Sequence, residues 1–167
     1  MIIRPEIPED IEAIDSVTIA AFKGKPYSDE TEHLIIHRLR ESDALFLSLV
    51  AELNKRVVGH VAFSEVTIDG NYIGWYGLGP ISVHPDFQKQ GIGSMLIREG
   101  LNQIRERGAK GCVLEGDPNY YERFGFKSYV NFTYAGAPSP EFFMALSFTE
   151  EIPTGKVEFH QAFYTSP

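Results

Sequence analysis

The stretch Gln88-Lys89-Gln90-Gly91-Ile92-Gly93-Ser94 constrains this chain more than any other. It follows a strand-like run ending in Val83-His84-Pro85 and precedes a helix-like run patterned by Ile92, Met95, Leu96 and Ile104. A loop between a strand and a helix exposes the first N–H groups of that helix, which have no partner within it. Those donors and the helix dipole favour an anion such as a phosphate. Gly91 and Gly93 remove side chains that would hold a ligand off, and they permit left-handed backbone. Gln88, Lys89 and Gln90 add donors and positive charge at the rim. Neither G-x-G-x-x-G nor G-x-x-x-x-G-K-[ST] is present, which removes the two commonest nucleotide-binding fingerprints. On glycine spacing alone, an ordinary strand-to-helix turn stands as an equal alternative.

The flanking sequence supplies the setting. Residues 1–4 read as a short strand, and Pro8 opens a helix with an apolar face of Ile11, Ile14, Thr18, Ala21 and Phe22, stopped by Gly24. Asp29 and Glu32 have capping-box spacing for a second helix that buries Leu34, Ile35 and Leu39. Residues 45–51 and 57–66 read as strands joined through Asn54-Lys55-Arg56, and Asp69-Gly70 predicts a hairpin leading to Tyr72. Between Gly74 and Pro85, three glycines and Pro80 interrupt strand-like sequence, the pattern of a bulged or splayed strand whose backbone a ligand can reach. Arg105, Arg107 and Gly108 end the helix after the loop. Residues 111–114 are a further strand, Asp117-Pro118 caps a short helix closed by Gly125, and residues 142–148 and 157–164 read as closing strands. Strand, helix and strand around Gly91 give one parallel crossover in an otherwise antiparallel sheet, a mixed α/β (α+β) class.

The 167 residues suit a single domain, 1–167, with a sizeable core. An apolar share of 43% with 23% charged residues is the balance of a globular rather than a disordered chain. No apolar run approaches the roughly 20 residues that span a bilayer, so no membrane partner is expected. The N-terminus has no secretory pattern. Cys112 is the sole cysteine, which leaves no disulfide framework, and the histidines show no metal spacing. A cytoplasmic protein without a metal is the expectation. The net charge of −8 argues against nucleic acid and suits a cationic partner such as an amine.

Two motifs carry a family resemblance. Gln88-x-x-Gly91-x-Gly93, preceded by Leu78-Gly79-Pro80-Ile81-Ser82-Val83-His84-Pro85, resembles the acetyl-CoA motif of the GCN5-related N-acetyltransferases. Tyr120-Tyr121-Glu122-Arg123-Phe124-Gly125-Phe126 resembles the second signature of the same family, in the same order and spacing. With Gly116-Asp117-Pro118 before the tyrosines, the chain is similar to a bacterial subgroup of N-acetyltransferases. The resemblance implies an acyl-CoA N-acyltransferase-like fold. Its central sheet is mixed but mostly antiparallel, flanked by helices, and splayed between the strand at 78–84 and the strand at 111–115.

The resemblance also implies roles. The backbone of Ile81, Ser82 and Val83 would pair with the pantetheine arm and polarise the thioester carbonyl. Gln88 and the amides of Lys89, Gln90, Gly91, Ile92, Gly93 and Ser94 would hold the pyrophosphate. Tyr121 maps onto the family's general acid and thereby also touches the cofactor, with Tyr120 as its rival. Glu65 and Glu115 are the better carboxylates for a base, although a solvated charge is the commoner role for either. His84 lies beside the loop but before Pro85, a setting that suits a strand end more than a base. The implied acceptor is a small-molecule or peptide amine, attacking acetyl-CoA directly. Its pocket is expected from residues 29–37, 65–72 and 132–142. A non-catalytic acyl-CoA-binding or sensor module is the alternative, an unrelated phosphate-ligand protein is a further rival, and a homodimer stays open.

Overall fold

A computed structural model describes residues 1–164; the last three residues of the expected single domain lie outside the described residues. Strand β1 (Ile2–Pro5) leads through a 3-10 turn at Pro8–Asp10 into helix α1 (Ile11–Phe22), followed by α2 (Glu32–Glu41). Strands β2 (Leu47–Leu53), β3 (Arg56–Glu65), β4 (Thr67–Ile68) and β5 (Trp75–Val83) come next, then α3 (Ile92–Glu106) and β6 (Gly111–Glu115). The single turn α4 (Pro118–Tyr121), β7 (Phe132–Thr133), β8 (Phe143–Ser147) and β9 (Gly155–Glu158) are the remaining α-helix and strands among the described residues. The main sheet has the order β1-β2-β3-β5-β6-β8, and all its pairs are antiparallel except β5 with β6. The mixed, mostly antiparallel class expected from the sequence is therefore present.

Helices cover both faces of that sheet. Beneath α3, Ile92, Leu96, Ile97, Leu101 and Ile104 meet Val58, Val61 and Phe63 in the larger core. Gly100 makes that approach close: a Cβ there would stand 2.4 Å from the Phe63 ring. On the opposite face, Ile14 and Val17 of α1 and Ile36 of α2 pack on Val50. That face also holds a polar network in which Ser48 joins His60 to Glu6, and Glu6 pairs with Arg40. Complete burial pushes the His60 pKa down to about 4, so the imidazole is neutral there.

Several expectations are corrected. Met95 is 44% exposed, because the buried stripe of α3 runs through Leu96, Ile97 and Gly100 on the other side of the helix. Helix α2 has no capping box: Asp29 accepts from the N–H and hydroxyl of Thr31 ahead of the helix, while Ser28 donates to Glu32. Its buried residues are Ile36 and Leu39, and Leu34 and Ile35 are only partly covered. Asp69 and Gly70 do turn left-handed (φ 50° and 80°), but no strand follows at Tyr72. Instead β4 leaves the main sheet and pairs with β9, which also pairs with β7 in a separate small sheet. The closing strand thus ends at Glu158, and a 3-10 turn at Gln161–Phe163 occupies the rest of the expected span.

Candidate active site

Strands β5 and β6 pair only from Trp75 to Gly77 against Gly111 to Val113. Beyond Gly77 they part, which leaves the β6-facing edge of residues 78–83 without a strand neighbour. Backbone donors and acceptors along such an edge must find a ligand or solvent. At its end His84 caps the 3-10 turn Pro85–Phe87 by accepting from Asp86 N–H at 3.1 Å. Gln88 then turns back, and its side-chain amide donates to the Val83 carbonyl at 2.9 Å. One expected rim donor is thus committed to fastening the loop to β5. Lys89 (φ 63°) and Gly91 (φ 82°) are both left-handed, and Gly91 is the N-cap of α3. A Cβ on Gly91 would meet nothing within 4 Å, so the loop faces open space. The first-turn amides of α3 therefore border open space that an anion can enter.

Across the splay sits α4. The Asp117 carboxylate accepts from Asn119 N–H at 2.9 Å, and Pro118 at the first position fixes the turn. The turn presents two tyrosines with different surroundings. The Tyr120 hydroxyl lies 3.3 Å from Ser94 Oγ at the start of α3, and the Arg123 guanidinium stands 4.5 Å from its ring centre. The Tyr121 hydroxyl has no hydrogen-bond partner among the described residues. Burial, with smaller contributions from Tyr120 and Tyr27, pushes its pKa well above the usual phenol value. One edge of its ring lies against Gly116, where a Cβ would stand 2.4 Å from ring carbon Cε2. Gly116 thus sets where Tyr121 points.

Both tyrosines line a cavity of about 790 Å³ that opens where the strands part. Leu78, Gly79, Pro80 and Ile81 form one wall, and Glu115, Gly116 and Asp117 another. The remainder comes from Phe22, Tyr27, Glu32 and Ile35, from Tyr134, Pro138 and Phe142, and from Phe159 and Phe163. A chain with this fold and this open strand edge has counterparts among known proteins. The acetyltransferase (GNAT) domain family matches residues 44–128. The N-acetyltransferase YhbS of Escherichia coli is 38% identical over 128 residues, which cover 76% of this chain and 74% of the relative. The chain belongs to the GNAT acetyltransferase family. A solved GNAT acetyltransferase of Brucella melitensis in complex with acetyl-CoA is 50% identical and superposes with a TM-score of 0.87, covering 97% of both chains. The structure of Escherichia coli YhbS in complex with CoA superposes with a TM-score of 0.91 at 32% identity, covering 98% of this chain and 92% of that one.

Within this GNAT fold the sequence-derived residues fall into separate places. Ile81, Val83 and the segment 88–94 border the splay, whereas the Ser82 side chain is buried on the far face, 3.3 Å from Thr18 Oγ1. Only the backbone of Ser82 is thus available to a ligand. Glu115 shares the cavity with Tyr121, and partial desolvation raises its pKa. Glu65 does not: it lines a smaller cavity with Thr67, Tyr72 and Glu158. The expected acceptor wall at 65–72 is accordingly replaced by Phe159 and Phe163, since β4 is drawn into the small sheet. Tyr27, Phe159 and Phe163 carried no motif; the four-residue spacing of the two phenylalanines was their one sequence signal. Cys112 is fully buried and its thiol pKa is pushed up, as suits an inert core residue. Among the described residues no cluster of His, Cys, Asp and Glu is placed to hold a metal, and no helix is long and apolar enough to cross a membrane.

Proposed function

We propose that this GNAT protein transfers the acetyl group of acetyl-CoA to a primary amine by direct attack, with Tyr121 as proton donor and Glu115 as proton acceptor. The observation that carries the assignment of roles is that Tyr121 and Glu115 share one cavity at the strand splay, whereas Glu65 lines another cavity and the hydroxyl of Tyr120, beside Tyr121 in the same cavity, lies 3.3 Å from Ser94 Oγ. Acetyl-CoA, when bound, supplies an activated acetyl thioester. The open edge of Ile81 to Val83 is available to bind an extended ligand and polarise its carbonyl. The amides of Lys89 to Ser94 offer the anion site for the pyrophosphate.

Holding the amine and the thioester carbon in line is the protein's main contribution. As the C–N bond forms and the C–S bond breaks, Glu115 takes a proton from the acceptor nitrogen and Tyr121 gives one to the departing sulfur. A thiol of pKa about 8.5 accepts from a phenol of pKa about 10 only against a gradient. Burial that raises Tyr121 further steepens that gradient but keeps the donor fully protonated across the physiological range. Glu115 gains from the opposite side of the same effect, because a raised pKa makes its carboxylate a stronger base. A cytoplasmic location is part of the proposal, since a chain with one buried cysteine has no disulfide framework that needs an oxidising compartment.

A thiol-release assay with acetyl-CoA tests this. Tyr121→Phe is expected to lower kcat about a hundredfold while leaving the acetyl-CoA dissociation constant close to wild type. Unchanged turnover removes Tyr121 from the chemistry. Tight acetyl-CoA binding by wild type without turnover of any amine favours the sensor alternative.

A further inference from the structure

The acceptor side of the cavity has a composition of its own. Its rings include Tyr27, Tyr134, Phe142, Phe159 and Phe163, drawn from three separate stretches of chain. Its only charged side chains among the described residues are the carboxylates of Glu32, Glu115 and Asp117; no lysine, arginine or histidine lines it. Asp117 is occupied as a helix cap and Glu32 accepts from Ser28. The Glu115 carboxylate has neither a hydrogen bond nor an ion pair among the described residues. A carboxylate with no counter-cation beside aromatic faces is an arrangement that recognises a cation through both charge and ring quadrupoles.

Resting on the acetyltransferase reading above, we infer that the acceptor is a small monocationic primary amine whose carbon body is apolar or aromatic. Several alternatives meet a physical obstacle in this pocket. A free amino acid would bring a carboxylate into a cavity with three of its own and no cation to receive it. A polyamine or an aminoglycoside would have to strip water from several ammonium or hydroxyl groups against ring walls that offer them few partners. A folded protein surface does not enter a cavity of about 790 Å³, a size that suits a drug-sized ligand. An arylalkyl or alkyl monoamine satisfies both halves of the lining: its ammonium faces the carboxylates and its body faces the rings. Glu32, on the α2 side, is the positioning residue for that ammonium: the Ser28 hydroxyl that donates to it carries no charge, so its carboxylate keeps no counter-cation, while Glu115 serves the proton step.

The test uses the full chain. Thermal stabilisation by acetyl-CoA is measured first, because its absence would overturn the donor reading itself. Thiol release is then compared for 2-phenylethylamine, hexylamine, spermidine, kanamycin and glycine. The monoamines are expected to exceed the other three in kcat/KM by about tenfold or more, the scale on which a well-filled apolar pocket discriminates. Calorimetric titration of 2-phenylethylamine into the CoA-saturated protein gives a readout independent of turnover. Glu32→Gln is expected to weaken that binding, and to raise KM, by about tenfold with kcat little changed. If acetyl-CoA binds but spermidine, kanamycin or glycine is the better acceptor, the substrate class is wrong and the donor reading survives. The substrate class is equally wrong if neither monoamine binds or turns over. Unaltered binding in Glu32→Gln overturns the role of the ammonium site.

Discussion

At the end of the cleft where β5 runs into α3, the surface offered to a ligand comes from residues 78–94, one continuous piece of chain. It is made mostly of backbone: an unpaired strand edge, three residues of positive φ (Gly79, Lys89 and Gly91) and the first amides of a helix. At the other end, four stretches spread from Phe22 to Phe163 contribute side chains, and their backbones do little but hold them. Backbone can recognise only what every acetyl-CoA presents, so a contiguous backbone site suits a shared donor. Side chains on separate elements can change one at a time without disturbing the fold, and such a site suits an acceptor that differs between enzymes. Between the two ends stand Gly116 and Tyr121, which belong to both.

That junction is where the largest effect is expected. Gly116→Ala places a Cβ 2.4 Å from the Tyr121 ring, and the ring must shift because the Gly116 backbone is held between the end of β6 and the Asp117 cap, with its N–H bonded to the Phe142 carbonyl. A displacement of this kind near the reacting atoms costs about a hundredfold in kcat, alongside about 1–3 kcal/mol of overpacking strain. The dissociation constants of acetyl-CoA and amine are expected to move much less. A kcat close to wild type in a folded Gly116→Ala protein would separate Tyr121 from the chemistry and leave the two ends without a shared element.

A smaller effect, confined to the donor end, is expected of Gly91→Val. With φ at 82°, a β-branched residue is strained by about 1–2 kcal/mol, and its side chain fills the space that the open loop offers to an anion. Acetyl-CoA affinity is expected to fall about tenfold or more, read by calorimetry, with amine binding unaffected. Equal weakening of both ligands would show that the ends do not act separately.

The same contrast explains what was legible in the sequence. Gln88 to Ser94 and Tyr120 to Phe126 could be read because local chemistry decides a glycine-rich helix start and a capped turn. The splay was legible too, since the glycines of β5 lie within one strand. Their individual reasons were not: Gly77 is small because a Cβ there would lie 2.7 Å from the Phe159 ring, 82 positions along. Asp69-Gly70 correctly signalled a turn, yet turn chemistry says nothing about the partner of β4, which is β9. That one long-range pairing removes the 65–72 hairpin from the cleft and brings in the segment carrying Phe159 and Phe163. Burial patterns failed for a related reason, because Ile35 faces a cavity wall that only exists once the other segments have assembled.

The smallest expected effect concerns the carboxylate that the small sheet carries away. Glu65 lies at the end of β3 directly across from Tyr76 of β5, and it lines a cavity with Thr67, Tyr72 and Glu158 rather than with Tyr121. A carboxylate in that position contributes charge to the surface and nothing to a proton path at the splay. Glu65→Gln is therefore expected to change kcat/KM by no more than about twofold, the range of an ordinary surface substitution. Glu115→Gln, two strands away but on the cavity wall, is expected to lower kcat by about a hundredfold and to remove the acidic limb of the kcat profile. That limb arises because a base whose pKa is raised must lose its proton before it can act, so activity falls as pH drops through that value. A reversal, with Glu65 carrying the loss and the acidic limb, would mean that the amine enters from the hairpin side and that the aromatic cavity serves another ligand.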